Sequence, residues 1–129
     1  MTLRLLLVDD NPPFLEAARR VLEGDGLRVV GVASTTADAV RRHRQLRPDV
    51  TLVDVNLGEE NGVELARLLS RADGDEPNWV ILISTYPEED LADVIDAPPG
   101  AGFLSKSQLS GSAVRELIER SEAGGGGAV

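Results

Sequence analysis

At 129 residues, with a formal net charge of −9 and no cysteine, the chain has the length of one domain and can bury a core without covalent staples. The missing thiols exclude a disulfide framework and a thiolate metal site, and the acidity repels a polyphosphate backbone, which argues against direct nucleic-acid binding. No apolar run approaches the span of a bilayer and residues 1–8 lack a signal-peptide cleavage region, so a soluble cytoplasmic protein with no membrane partner is expected.

Along the chain, short apolar runs alternate with amphipathic ones. Leu3–Val8 reads as a first strand and ends in Asp9-Asp10. Pro12 and Pro13 can open a first helix, whose apolar face holds Phe14, Leu15, Ala18, Val21 and Leu22, and Gly24 and Gly26 can close it. Leu27–Val32 reads as a second strand. The second helix, Ala37–Leu46, is weaker: Val40 is its only strong apolar anchor before Leu46, and His43 sits among arginines as if exposed. Val50–Val53 forms a third strand that ends in Asp54. Asn61 with Glu64 resembles a capping box for a third helix carrying Gly62, Leu65, Ala66 and Leu69 on one face. Trp79–Ile83 forms a fourth strand that ends in Ser84-Thr85, with Trp79 at the opposite end.

Residues 88–97 hold five acids and no base ahead of Pro98, which predicts a short, marginal fourth helix. Phe103–Leu104 is the fifth strand, followed by Lys106. Ser110 can cap a fifth helix with Ala113, Val114, Leu117 and Ile118 on one face. The division expected is one domain over 1–122 and a flexible Gly-rich tail over 123–129. Five strand–helix repeats predict an α/β fold: a parallel sheet covered by helices, two on one face and three on the other.

In an open parallel sheet, ligands bind at the carboxyl ends of the strands. If the strand order is 2-1-3-4-5, Asp9, Asp10, Asp54, Ser84 and Lys106 converge on one edge. Lys106 is the only lysine of the chain; the other twelve basic residues are arginine. Three carboxylates in one pocket repel unless a cation joins them, and an oxygen-only set suits a hard divalent ion such as magnesium. A carboxylate held in line is a competent nucleophile toward phosphorus, because that reaction is mostly positioning and charge neutralisation.

Four motifs in this order carry a resemblance to the receiver domains of bacterial response regulators, over residues 3 to about 122. They are LLLVDDN after the start, LVDVNLGEENG around Asp54, VILIST at the fourth strand and GFLSK at the fifth. The resemblance implies a flavodoxin-like three-layer sandwich with a five-stranded parallel sheet in order 2-1-3-4-5 and five helices. It implies that Asp54 accepts a phosphoryl group from a histidine kinase or phosphotransfer protein. Magnesium or manganese would be held by Asp9, Asp10, Asp54 and the backbone carbonyl of Asn56. Ser84 and Lys106 would contact the phosphoryl group, and Ser84 and Phe103 would form a switch. Such a protein is a phosphoacceptor that promotes its own phosphorylation and dephosphorylation rather than an enzyme, and it acts on a downstream protein target or a missing output domain.

Two positions depart from the family pattern. Gly58 stands where the family usually has proline, which predicts a looser loop. Ser107 also replaces a proline, which puts the reach of Lys106 in question. Alone, each acidic residue reads as a turn or cap, and Phe103 and Trp79 read as packing. A P-loop NTPase is excluded because no G-x-x-x-x-G-K-S/T loop exists. An acyl-phosphate-forming phosphatase of the D-x-D kind is a distant alternative, since Asn56 replaces the second carboxylate. A receiver-like interaction module that is never phosphorylated is the nearer one.

Overall fold

The computed structural model describes residues 2–70, 78–85 and 102–127. In chain order the elements are β1 (Arg4–Val8), α1 (Pro12–Gly24), β2 (Arg28–Ala33), α2 (Thr36–Leu46), β3 (Val50–Asp54), β4 (Asn56–Leu57), β5 (Glu60–Asn61), α3 (Gly62–Ser70), β6 (Trp79–Ser84), β7 (Gly102–Ser105), a 3-10 turn (Lys106–Gln108) and α4 (Gly111–Gly127).

Five strands form one sheet in the order β2-β1-β3-β6-β7, all parallel. Counting only these strands, that is the expected 2-1-3-4-5. The sequence cause is visible strand by strand. Leu5 to Val8, Val50 to Val53 and Val80 to Ile83 are all buried, as strands covered on both faces must be. Alternate residues serve opposite faces. Leu5, Leu7, Leu52, Ile81 and Ile83 pack with Leu15, Ala18 and Leu22 of α1 and Val114 and Ile118 of α4. Leu6, Val8, Val53, Val80 and Leu82 pack with Ala39 of α2 and Leu65, Ala66 and Leu69 of α3.

The expected five helices are corrected to four α-helices among the described residues, two on each face of the sheet. The helix expected over 88–97 lies outside the described residues. The sequence there offers a helix little support: five acids with no base allow no i,i+4 ion pair and no cation at the C-terminal end. The helix α4 continues through Gly127, so the backbone of the first glycines of the tail is helical.

The caps follow the sequence. The Asn11 side chain accepts from the Phe14 N–H at 3.4 Å ahead of Pro12 and Pro13, and Ser110 Oγ accepts from the Ala113 N–H at 3.0 Å. Asn61 Oδ1 accepts from the N–H groups of Val63 and Glu64 at 2.9 and 3.2 Å. His43 corrects the sequence expectation. It is buried, and its Nε2 lies 2.9 Å from Oδ1 of Asn78, whose Nδ2 donates to the Leu69 carbonyl at 2.7 Å. This chain of bonds ties α2 to the end of α3 beside the start of β6. Since Asn78 Nδ2 is the donor to Leu69, its Oδ1 is the acceptor, so His43 carries a proton on Nε2. No helix among the described residues is long and apolar enough to cross a membrane.

Candidate functional site

The strand order places the ends of β1, β3, β6 and β7 side by side, and each delivers one element of a pocket. Asp9 follows β1 directly. It is fully buried, held by its own N–H donating to the Ala33 carbonyl at 3.0 Å and by its Oδ1 accepting from the Asn11 N–H at 2.9 Å. Asp10, the next residue, is exposed at the rim. Asp54 is the last residue of β3 and is 6% exposed. Its Oδ1 accepts from the Asn56 N–H at 3.2 Å, which fixes the carboxylate plane. Ser84 ends β6, buried at 1% exposure. Carboxylate oxygens of Asp9, Asp10 and Asp54 all lie within 4.8 Å of one another.

Lys106 enters from the 3-10 turn after β7. Its Nζ is 2.6 Å from Asp9 Oδ2 and 3.3 Å from Asp54 Oδ2, so one ammonium bridges the two buried carboxylates. Buried Asp9 Oδ2 has no hydrogen-bond partner beside this ion-pair contact with the ammonium. One cation against three carboxylates leaves the pocket negative. Burial first, and the neighbouring Asp9 charge second, push the Asp54 carboxyl up to about 6, against the pull of the Asn56 N–H and Lys106. The arrangement is consistent with a divalent-cation site. Around one six-coordinate ion at about 2.0–2.1 Å, neighbouring oxygens lie about 2.9 Å apart and only an opposite pair as far as about 4.2 Å, so the carboxylates would draw closer to share an ion.

The loop between Asp54 and α3 explains two glycines. A Cβ on Gly62 would stand 1.8 Å from the Asp54 carbonyl oxygen, so only glycine lets α3 start against the end of β3. The Gly62 N–H donates to the Val55 carbonyl at 3.0 Å. Gly58 has φ +59° and turns the β4–β5 hairpin, in which Leu57 pairs with Glu60 and Asn56 with Asn61. A proline, fixed near −65°, has no access to that conformation. The loop is therefore closed by its own hairpin rather than loosened. Its tip is also tied to α2, since Glu60 Oε1 accepts from the Thr36 N–H at 2.8 Å. At the second departure, no peptide bond among the described residues is cis, so Lys106–Ser107 is trans, and Lys106 still reaches both carboxylates.

The structure thus gathers Asp9, Asp10, Asp54 and Lys106 in contact range and puts Ser84 at the end of the strand beside Asp54. Phe103 is 7% exposed, packed on the α2/α3 side of the sheet one strand from Leu82. Asn56 contributes its N–H to the site. Phe14 reads from the sequence only as core, yet Lys106 Nζ sits 4.3 Å from the centre of its ring.

A doubly wound parallel sheet with an acidic pocket, a buried hydroxyl and one lysine at its carboxyl edge defines a phosphoryl-handling α/β domain. The chain matches the response regulator receiver domain family over residues 5–119, and it belongs to that family. The response regulator UvrY of Escherichia coli K12 is 33% identical over 117 residues, covering 90% of this chain and 51% of that protein. The response regulator GacA of Pseudomonas aeruginosa is 31% identical over 119 residues, covering 91% and 52%. Among solved structures, a two-component response regulator of the LuxR family from Aurantimonas sp. SI85-9A1 superposes with a TM-score of 0.77 at 27% identity, covering 96% of this chain and 87% of that one. The response regulator domain of Thermotoga maritima CheB superposes at 0.72 and 26%, covering 95% and 96%. The chain spans about half the length of the curated relatives it matches. It is a phosphoaccepting receiver domain of a two-component system, a phosphoacceptor rather than an enzyme that turns over a separate substrate.

Proposed function

We propose that Asp54 is the phosphoacceptor of this receiver, that the donor is a histidine kinase or a phosphotransfer protein, and that the reaction requires magnesium or manganese. The observation that carries this reading is the position of Asp54: a buried strand-end carboxylate that shares Lys106 with Asp9 and lies within 4.8 Å of both Asp9 and Asp10. Asp9, Asp10, Asp54 and the Asn56 carbonyl would hold the ion, which when bound neutralises charge and takes one oxygen of the incoming phosphoryl group. The Asn56 N–H orients the Asp54 carboxylate for in-line attack. A carboxylate oxygen bonds to phosphorus as the bond from phosphorus to the donor's imidazole nitrogen breaks, and the electron pair leaves with that nitrogen. Lys106 pairs with a second phosphoryl oxygen, and Ser84 donates its hydroxyl proton to a third.

In this reading Ser84 and Phe103 couple the modification to the surface, and the signal passes to a downstream protein or to an output domain outside this sequence, in the cytoplasm. The receiver proper is residues 1–122. The tail is set apart by composition: α4 is helical through Gly127, but four successive glycines from Gly124 each cost about 1 kcal/mol relative to alanine in a helix, so its last turn is weakly held. Intact-mass measurement after incubation with acetyl phosphate and magnesium tests the central point. One phosphoryl group is expected on the wild type and none on Asp54→Asn or on wild type with excess chelator. Unchanged incorporation in Asp54→Asn would overturn the assignment.

A further inference from the structure

Lys106 comes from the turn just after the fifth strand of the sheet and Phe14 from the first turn of α1, 92 positions earlier in the chain, yet the ammonium lies over the ring face at 4.3 Å. The ring is itself held. Its backbone N–H is capped by Asn11, and its side chain packs against the core on the α1/α4 side of the sheet. The Lys106 side chain is only 14% exposed. Much of its hydration has therefore been replaced, by two carboxylates on one side and by the ring on another.

We propose that Phe14 is a positioning residue for phosphoryl transfer, and that its ring face keeps the Lys106 ammonium at the pocket while the anion it pairs with changes. A lysine side chain is long and carries much rotamer entropy. When a divalent ion takes over Asp9 and Asp54, those two carboxylates hold the ammonium less strongly. An aromatic face still attracts a cation, and it neither takes up a proton nor competes for the metal. The ammonium then meets the incoming phosphoryl group already in place, and its ordering is not charged to the transition state. The inference rests on the reading that Lys106 contacts that group.

The single lysine makes the test direct. With 13C-labelled lysine, the protein gives one ε-methylene signal, and protons over a ring face resonate upfield of their free position. In wild type that signal is expected upfield, with and without magnesium. In Phe14→Leu it returns to the free-lysine position. Phosphorylation by acetyl phosphate then slows about three- to tenfold, the range a partly desolvated cation–π contact supports, and magnesium affinity by calorimetry stays within about twofold. Phe14→Tyr keeps the ring face and should keep both the shift and the rate, which separates positioning from simple packing. A wild-type signal at the free-lysine position overturns the proposal. So does a Phe14→Leu rate equal to wild type, or a Phe14→Tyr rate as slow as Phe14→Leu. Because the shift is read without a donor, an upfield signal in a protein that takes up no phosphoryl group supports the ring contact and rejects the acceptor reading instead.

Discussion

Asp54 works under a tension that its own titration should report. Its carboxyl is pushed up to about 6 by burial and by Asp9, whereas in the unfolded chain it titrates near the usual 3.8. Between those two values the native state holds more protons than the unfolded one, so this group makes stability fall as pH rises through about 4 to 6, and the deficit is complete above about 6. Asp54→Asn removes the ionisation. In metal-free solution at neutral pH it should therefore be more stable than wild type by about 1–3 kcal/mol, a gain that vanishes below about pH 4; urea melts at pH 4 and 7.5 read the difference. A divalent ion stabilises the charged form, so magnesium should lower the titration midpoint of Asp54 seen by carboxyl 13C NMR. Gly62 makes a sterically sharper prediction. An alanine methyl there would stand 1.8 Å from the Asp54 carbonyl oxygen, so Gly62→Ala should destabilise the fold by at least about 2–3 kcal/mol and displace the acceptor strand end, visible as a lowered melting temperature together with slower phosphorylation.

Among the elements, the helices on the α2/α3 side of the sheet hold the least expected arrangement. His43 and Asn78 link α2 to α3, so His43→Leu should cost about 1–2 kcal/mol, and a double-mutant cycle with Asn78→Ala should show that most of this cost is shared. The link is hidden in the sequence because the partners are 35 residues apart and three arginines around His43 suggest an exposed face. The strands are legible because covered parallel strands leave near-continuous Val, Ile and Leu runs, and the carboxyl-edge residues Asp9, Asp54, Ser84 and Lys106 are legible because each lies at or just past the end of such a run. The β4–β5 hairpin is not. Two-residue strands leave no periodicity, and Gly58 reads as a lost proline rather than as the left-handed turn it makes. Phe14 satisfies the helical spacing of a core residue, which conceals what its other face does.

For the whole molecule, the proposed switch joins the ends of one strand pair. Ser84 lies beside the acceptor, while Phe103, on the neighbouring strand, is already seated on the α2/α3 side of the sheet. A phosphoryl mimic should draw Ser84 toward Asp54 and shift Phe103 with it, as a bias on an existing equilibrium; crystals with and without beryllofluoride that show the same Ser84 and Phe103 positions would reject it. The two faces of the sheet differ in when they can be finished. The α2/α3 side takes its helices from the first 70 residues, but the opposite core needs Val114 and Ile118, and α4 begins only where the Gly111 N–H donates to Asp25, 86 residues back. A nascent chain leaving the ribosome therefore carries Leu5, Leu7, Leu52, Ile81 and Ile83 without half of their cover until α4 is free. A chain stopped before Gly111 is therefore expected to aggregate rather than to fold as a smaller receiver, which light scattering of that truncation would check.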